Sequence, residues 1–315
     1  MITAVSMVKN SADVIETMIR GNSPVIDNWI ITNNASTDNT LNILSALKDE
    51  GFNIEILEDN SKSPYQGKRL TEAGRMAVEK YSSDVIIPLD DDEIICSGSS
   101  HIDHQSLKAL IEGLDQDNMY YICWRNYIPT EEDDNTQVCV ALREKFCLAD
   151  EEEMTKKIII PSKLFNDETL QIETGSHFVR GGTIKEHILL KDIRMAHYPI
   201  RSAEQIASKA ITGWMNRLGM PDRKADMSTH WRIMYTAIKE YGLPTIDTMM
   251  TLANLYRERP NDTEHLNVDY NPINIPSEVF DMKYTHGNEI NLLKNICENA
   301  EKYAIGYAEL LGRSE

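Results

Sequence analysis

VIIPLDDDE, residues 85–93, is the stretch that decides the fold of this chain. Val85–Leu89 is a short apolar run typical of a buried strand, and it leads directly into three aspartates. In an extended chain, the spacing of Asp90 and Asp92 puts both carboxylates on the same side. Two carboxylates held so near each other repel unless a positive charge lies between them. Mg²⁺ and Mn²⁺ are cations that prefer oxygen ligands. The stretch therefore predicts a metal site at a strand end, with a solvated acidic loop as the less favoured alternative.

The segments before this stretch alternate between strand and helix patterns. Strands are predicted at Ile2–Val8, Trp29–Ile31 and Ile54–Leu57, and helices at Ser11–Arg20, from Thr37-Asp38 to Gly51, and at Gly67–Tyr81. This alternation predicts an α/β fold in which a parallel sheet is covered by helices on both faces. Because ligands bind at the carboxyl ends of such strands, the polar segments that follow them should converge on one edge.

The second half of the chain is less regular and then becomes helical. Strands are predicted at Met119–Ile128, Ile158–Ile160, Ile172–Val179 and Ile188–Tyr198, a helix at Ile102–Leu114, and acidic loops at Glu131–Asn135 and Asp150–Glu153. Later helices are predicted at Gln205–Leu218, Met227–Tyr241, Thr245–Arg257 and Asn288–Leu311. We therefore expect two regions, a catalytic domain over 1–202 and a helical C-terminal extension over 203–315.

Composition restricts the classes of protein and partner. The 315 residues carry a formal net charge of −18, which disfavours broad nucleic-acid binding. The hydrophobic fraction of 41% and the charged fraction of 26% are ordinary for a globular protein. Five cysteines without a CxxC pair predict reduced, mostly buried thiols. With no leader-like N-terminus and no apolar run of about 18 residues, we expect a cytoplasmic protein, or one on the inner face of a membrane.

Three motifs in order carry a resemblance to a known family. VSMVKN (5–10), WIITNNASTDNT (29–40) and VIIPLDDDE resemble the nucleotide-binding half of glycosyltransferase family 2, whose members have the GT-A fold. The resemblance covers about residues 1–100. HYPIRSAEQ (197–205) further resembles a subgroup of bacterial family 2 enzymes, which implies a role in surface polysaccharide synthesis.

The resemblance implies roles for individual residues. The nucleoside would lie against the loops that contain Val8, Asn10, Asn33 and Ser36. Asp90 and Asp91 would lie near the ribose and diphosphate of the donor, and Asp92 would bind Mn²⁺ or Mg²⁺. Family members usually carry an aspartate where Asn33 or Asn34 stands, facing the base. An amide both accepts and donates hydrogen bonds, so this departure leaves the base open, with UDP-sugars favoured.

Basic residues and one histidine complete the expected donor site. Many GT-A enzymes use a late histidine as a further metal ligand, for which His197 is the candidate; a purely structural histidine is the alternative. Arg201 and Lys209 are then candidates for binding the diphosphate. Lys68 opens a predicted helix, where it would bind phosphate or simply lie at the surface.

Transfer with inversion needs a base for the acceptor hydroxyl, and the sequence leaves its identity open. Glu173 and His177 are the first candidates, and Asp167 and Glu186 are not excluded.

The sequence thus predicts a metal-dependent glycosyltransferase that moves a sugar from a nucleotide-diphosphate sugar to a glycan or glycolipid acceptor. A nucleotidyltransferase of sugar phosphates is one alternative, but a Gly-rich loop is missing after the first strand. A non-catalytic glycan-binding protein of the same fold is the other alternative, which the aspartates disfavour.

Residues 201–239 carry seven Lys or Arg against three Asp or Glu, a balance of +4, which fits peripheral membrane contact or a mixed helical surface. The predicted C-terminal helix offers a surface for a second copy of the chain, so the oligomeric state stays open.

Overall fold

The structure is a computed structural model that describes residues 1–59, 65–98, 103–149, 155–219, 229–256, 266–288 and 290–310. Its first elements follow the apolar pattern of the sequence. They are β1 (Ile2–Val8), α1 (Ile15–Asn22), β2 (Asn28–Asn33), α2 (Thr40–Glu50), β3 (Ile54–Glu58), α3 (Gln66–Tyr81) and β4 (Val85–Pro88).

These four strands form the parallel half of a larger sheet. β1 pairs with β2 and β4, and β2 pairs with β3, all in parallel, which gives the order β4-β1-β2-β3. The register places Val8 beside Asn33 and Asn33 beside Glu58, so the carboxyl ends of three strands lie level. The predicted parallel sheet is confirmed, and its polar strand ends share one edge.

The later strands extend the sheet and make it mixed. They are β5 (Glu93–Ser97), β6 (Met119–Ile128), β7 (Phe146–Leu148), β8 (Lys156–Pro161), β11 (His187–His197) and β12 (Val268–Tyr270), with a separate pair β9 (Gln171–Ile172) and β10 (Val179–Arg180). β8 is antiparallel to both β4 and β6, whereas β11 is parallel to β6 and antiparallel to β5. The predicted α/β architecture, a mixed sheet flanked by helices, is confirmed.

Two sequence-based expectations about strands are wrong. The chain turns at Asp91 and Asp92 and returns as β5, so the aspartates do not lie in an extended strand. The single strand predicted over Ile172–Val179 is interrupted, because Gly175 (φ 86°) and Ser176 (φ 57°) adopt the left-handed conformation. The short strands β9 and β10 flank this connection.

Helices cover the sheet and follow it in the chain. They are α4 (His104–Glu112), α5 (Val140–Arg143), α6 (Ala203–Leu218), α7 (Thr229–Tyr241), α8 (Ile246–Ala253) and α9 (Leu292–Leu310). The predicted later helices are thus present, and the predicted acidic loop over 150–153 lies outside the described residues. In the described ranges no helix is both long and apolar enough to cross a bilayer. The five cysteines are free thiols, four of them buried, as predicted.

The helix pair α6 and α9 packs through polar side chains. Asn295 donates to Ser208 (2.9 Å), Asn299 to Thr212 (3.2 Å) and Tyr303 to Asn216 (3.1 Å). Both sets recur every fourth residue and rise together, so the two helices run parallel.

A buried carboxylate on α1 binds a segment from near the end of the chain. Glu16 accepts hydrogen bonds from the backbone N–H groups of Lys283, Tyr284 and Thr285 and from the Thr285 hydroxyl, at 2.8–2.9 Å. Arg20, one turn further along α1, donates to the same carboxylate at 2.9 Å. Since a buried charge needs such partners, this contact fixes residues 283–285 against the N-terminal half.

Candidate active site

The turn between β4 and β5 lies at the common edge of the sheet and faces a cavity of about 570 Å³. Asp90, Asp91 and Asp92 all line this cavity. The turn is held by its own neighbours, because Asp90 N–H donates to the Glu93 side chain (2.8 Å) and Tyr198 N–H donates to the Asp92 carbonyl (2.9 Å). A second cavity of about 240 Å³ shares Asp91 with the first.

Asp92 is the centre of a compact charged cluster. Its side chain is 2% exposed, and its Oδ2 accepts from Lys209 Nζ at 2.8 Å and lies 3.4 Å from Arg201 Nη1. Burial alone would raise the pKa of Asp92, but the charges of Lys209 and Arg201 hold it well below its usual range. Asp92 is therefore ionised at neutral pH, and the predicted grouping of these three residues is present in the structure.

The two cations of the cluster are held differently. Arg201 is buried and also donates twice to Asp13, at 2.7 and 3.2 Å. Lys209 is 33% exposed and lines both cavities.

Asp91, next to Asp92 in the chain, accepts a hydrogen bond from the Ser11 hydroxyl. Burial, followed by the charge of Asp92, raises the pKa of Asp91 to about 6.

His197 faces Asp92 with an unprotonated nitrogen. It ends β11, in register with Asn126 of β6, and its Nδ1 donates to Asn126 Oδ1 at 2.7 Å. Burial lowers the pKa of His197 to about 3, so the ring is neutral and Nε2 carries the lone pair. This Nε2 lies 3.7 Å from Asp92 Oδ1, and Trp124 stacks on the ring at 4.0 Å.

This pair of atoms fits a divalent metal as two ligands. A carboxylate oxygen and a neutral imidazole nitrogen, both bearing electron pairs and neither bearing a proton, suit Mn²⁺ and, less well, Mg²⁺. The hydrogen bond to Asn126 fixes the orientation of the imidazole, as the partner of the other ring nitrogen does in metal-bound histidines. Across the described ranges, no group of three or more His, Cys, Asp and Glu side chains is arranged around one point. Further ligands would therefore come from the substrate or water.

A second ionic cluster, absent from the sequence-based expectations, holds Asp90. Lys157 of β8 is fully buried, and its Nζ donates to Asp90 Oδ2 (2.8 Å) and to the Gly175 carbonyl (2.9 Å). Gln66, at the start of α3, donates to Asp90 Oδ1 at 3.2 Å and accepts from Gly175 N–H at 3.0 Å. The aspartate and the loop between β9 and β10 are thus fixed by the same two side chains.

Glu93 is a further member of this ionic cluster. Its Oε1 accepts from Trp124 Nε1 (2.6 Å) and lies 3.2 Å from Lys157 Nζ. Burial raises the pKa of Glu93 to about 8 despite the opposing charge of Lys157. Although burial disfavours its charge, the carboxylates of Asp90 and Glu93 raise the pKa of Lys157, so the lysine remains protonated.

Of the candidate bases, only His177 lines the 570 Å³ cavity. Its Nδ1 lies 2.8 Å from the Lys156 carbonyl, which can only accept, so Nδ1 carries the proton and Nε2 the lone pair. Burial, followed by the charge of Lys157, lowers the pKa of His177, which makes the ring neutral at pH 7. A neutral imidazole with an accepting Nε2 meets the chemical requirement for a general base.

The other candidate bases do not line either cavity. Glu173 pairs with Arg180 at 2.5 Å. The carboxylate of Asp167 accepts from Thr169 and Thr183, and Glu186 is exposed on the surface.

The loops predicted to contact a nucleoside bind each other. Asn10, in the left-handed conformation at φ 52°, donates from its backbone to Ser36 Oγ (3.0 Å) and accepts from Thr37 N–H (2.8 Å). The side chain of Asn33 is buried and donates to Glu58 at 3.0 Å. Val8 is a core residue whose carbonyl accepts from the next loop. Asn10 lines the 240 Å³ cavity.

Lys68 is placed apart from both cavities. Its side chain is 67% exposed and lies 3.9 Å from Glu72 on the same helix. Gln66, two residues earlier, lines the larger cavity instead.

Comparisons with known proteins add distant structural similarity. No protein-family model matches the chain, and no curated protein is similar to it in sequence. Its structure is similar to S. aureus TarS in complex with UDP (12% identity, 97% of this chain and 91% of that one, TM-score 0.39). It is also similar to a Pyrobaculum calidifontis mannosyltransferase in complex with GDP-Man and Mn²⁺ (12% identity, 81% of this chain and 73% of that one, TM-score 0.42). A third similar structure is Mycobacterium tuberculosis glucosyl-3-phosphoglycerate synthase with Mg²⁺ and UDP (16% identity, 70% of this chain and 80% of that one, TM-score 0.32). Similarity this distant assigns no activity or residue role to the chain.

Proposed function

We propose that the protein is a glycosyltransferase of the GT-A fold that moves a sugar from a nucleotide-diphosphate sugar to a hydroxyl of a glycan or glycolipid, with inversion. The observation that carries this proposal is the cluster around Asp92. A carboxylate and a neutral imidazole face each other beside one lysine and one arginine, at the carboxyl end of a central parallel strand. Positive charge prepared in a buried site suits a leaving group that gains negative charge as it departs.

The cluster around Asp92 indicates which residues would bind the donor. Lys209 and Arg201 would bind the diphosphate and stabilise its charge as the bond to the sugar breaks. Asp90, held by Lys157 and Gln66, would accept hydrogen bonds from ribose hydroxyls. The backbone around Asn10 would contact the nucleoside, with UDP-sugars as the favoured donors.

A divalent metal is part of the proposal. Asp92 and His197 are the residues that would hold it, and the ion would neutralise charge on the leaving diphosphate. Because one ligand is an imidazole nitrogen, Mn²⁺ suits the site better than Mg²⁺.

His177 is the proposed general base. Its Nε2 would take the proton of the acceptor hydroxyl while that oxygen attacks the anomeric carbon and the nucleoside diphosphate leaves. Trp124 packs edge-on against His177 and face-on against His197, so one indole positions both imidazoles. Glu173, in its ion pair with Arg180, is the second candidate.

Replacing His177 tests this assignment through the pH dependence of the rate. His177→Gln should lower kcat about 100- to 10,000-fold, the usual contribution of a general base. In the wild type, kcat/KM should fall only below the usual imidazole range, because burial lowers the pKa of His177 and the protonated ring cannot accept a proton. The variant should lose this acidic limb. A matched control is His187→Gln, since His187 pairs with Tyr121 near the surface. A variant that keeps both rate and acidic limb would remove His177 from catalysis.

The proposed function is tested by a donor screen with the full chain. UDP-, GDP-, CMP- and dTDP-sugars are incubated with Mn²⁺, and nucleotide release is measured with and without glycan acceptors. We expect release from one donor class. Pyrophosphate release from a nucleoside triphosphate and a sugar phosphate would instead identify a nucleotidyltransferase. Glycan binding without any turnover or nucleotide binding would identify a binding protein.

We further propose bacterial surface polysaccharide synthesis at the inner face of the membrane as the setting. The basic balance of residues 201–239 supports attraction to anionic lipid or to a lipid-diphosphate acceptor. The proposed division into a catalytic domain over 1–202 and an extension over 203–315 places Lys209 in the extension, which would therefore contribute to the donor site. The exposed Leu293 and Tyr307 on α9 support an oligomer formed through that helix.

A further inference from the structure

The carboxylate proposed to bind a metal already has a side-chain cation on it. Lys209 Nζ lies 2.8 Å from Asp92 Oδ2, while the opposite oxygen faces His197 Nε2. The carboxylate is buried, but it lines the 570 Å³ cavity beside Lys209. A divalent ion entering here would bring two positive charges next to the ammonium of Lys209. Like charges at such distances in a buried site repel strongly.

Lys209 is the cation that can move away. Arg201 is anchored by two hydrogen bonds to Asp13 and by donation to the Tyr198 carbonyl. Lys209, by contrast, has a long flexible stem and partial exposure, and it lines both cavities. With a divalent ion on Asp92, the ammonium of Lys209 needs another anion nearby, because two cations that share one carboxylate repel each other. The diphosphate of the donor is such an anion.

We propose that Lys209 keeps Asp92 closed to the divalent metal until a nucleoside diphosphate arrives, so that metal and donor bind together. This inference rests on the proposed function. In the free protein Lys209 serves as the counter-ion of Asp92. When the diphosphate binds, Lys209 would transfer to a phosphate oxygen, which would leave Asp92 able to hold the metal. Metal and nucleotide then strengthen each other's binding by the same factor, as linkage requires.

The test measures Mn²⁺ binding to the full chain by calorimetry, without and with saturating UDP. The proteins are the wild type, Lys209→Met, Lys209→Gln and the surface control Lys68→Met. In the wild type, UDP should strengthen Mn²⁺ binding at least about tenfold. Without UDP, both Lys209 variants should bind Mn²⁺ at least about tenfold more tightly than the wild type, because a competing cation is gone. In these variants UDP should strengthen Mn²⁺ binding at least about threefold less than in the wild type, because the diphosphate still contacts the metal but no longer displaces a lysine. Lys68→Met should match the wild type.

Other results overturn the inference. If the wild type binds UDP and Mn²⁺ but the Lys209 variants bind Mn²⁺ alone no better, Lys209 does not block the metal, and the proposed function still stands. Equal strengthening by UDP in variant and wild type would also contradict it, since simple charge removal changes affinity but keeps the coupling. A wild type that binds neither UDP nor Mn²⁺ removes the proposed function and this inference together. Two substitutions at Lys209 guard against one variant that fails to fold.

Discussion

Asp92→Asn is expected to lower kcat/KM for sugar transfer by about 1,000-fold or more, which corresponds to about 4 kcal/mol of lost transition-state stabilisation. The amide keeps the shape of the side chain but removes the charge that Lys209 and Arg201 surround. It is also a poor ligand for a divalent metal beside His197. The measurement is nucleotide release at subsaturating donor with the acceptor present.

The loss should come without unfolding. Arg201 keeps its two hydrogen bonds to Asp13, and Lys209 is exposed enough to be hydrated. A matched control is Asp281→Asn, because Asp281 is 70% exposed on the surface. Activity of Asp92→Asn within tenfold of the wild type, with the control unchanged, would show that the cluster is not the catalytic centre.

Lys157→Met is expected to lower the free energy of unfolding by about 3–5 kcal/mol, as happens when one partner of a buried ion pair is removed. The substitution fills a similar volume but leaves the Asp90 carboxylate without its counter-ion and removes the ammonium group beside Glu93. The Gly175 carbonyl loses its donor as well. Urea unfolding followed by circular dichroism measures the change.

The deficit should depend on pH in a defined direction. Burial already raises the pKa of Glu93 to about 8 from its usual 4.5, and removal of Lys157 raises it further. Between pH 4.5 and 8 the unfolded chain has released this proton while both folded proteins retain it, so both lose stability alike as the pH rises. Above pH 8 the wild type releases the proton and the variant still retains it, so only the variant continues to lose stability. The difference from the wild type should therefore be larger at pH 9.5 than at pH 7.

A surface lysine provides the control for this prediction. Lys163 pairs with Asp117 on the surface, where water screens the pair, so Lys163→Met should leave the free energy of unfolding nearly unchanged. If Lys157→Met destabilises the protein no more than Lys163→Met, the buried cluster does not need its lysine. Loss of transfer activity at full stability would instead point to a direct role of Lys157 in binding the donor.

The parallel half of the sheet was predictable because its signals are local. Each strand is a short apolar run, and the first three are each followed by a polar segment and a helix pattern. The grouping of Asp92 with His197, Arg201 and Lys209 came from the resemblance, which implies a late histidine as a metal ligand and basic residues soon after it in the chain. The strands thus depend on local patterns, whereas this grouping depends on the family.

What could not be predicted depends on partners far apart in the chain. Lys157, in KKIIIP, looks like the polar start of an exposed strand. It is buried because β8 lies between β6 and β4 in the sheet, and there it contacts Asp90, 67 residues away. The sequence offers Glu173 and His177 equally as candidate bases. In the structure the left-handed turn at Gly175 and Ser176 lies between them, and they have different surroundings.

The contact of Glu16 with residues 283–285 has a consequence for how the protein is made. The ribosome synthesises α1 long before Thr285, whose two hydrogen bonds to Glu16 span 269 residues. At about 5–20 residues per second, that interval is roughly 13–54 seconds. During this time the nascent N-terminal half carries a carboxylate whose later partners do not yet exist. The sheet can assemble early, but α1 reaches its final environment only once nearly the whole chain has been translated.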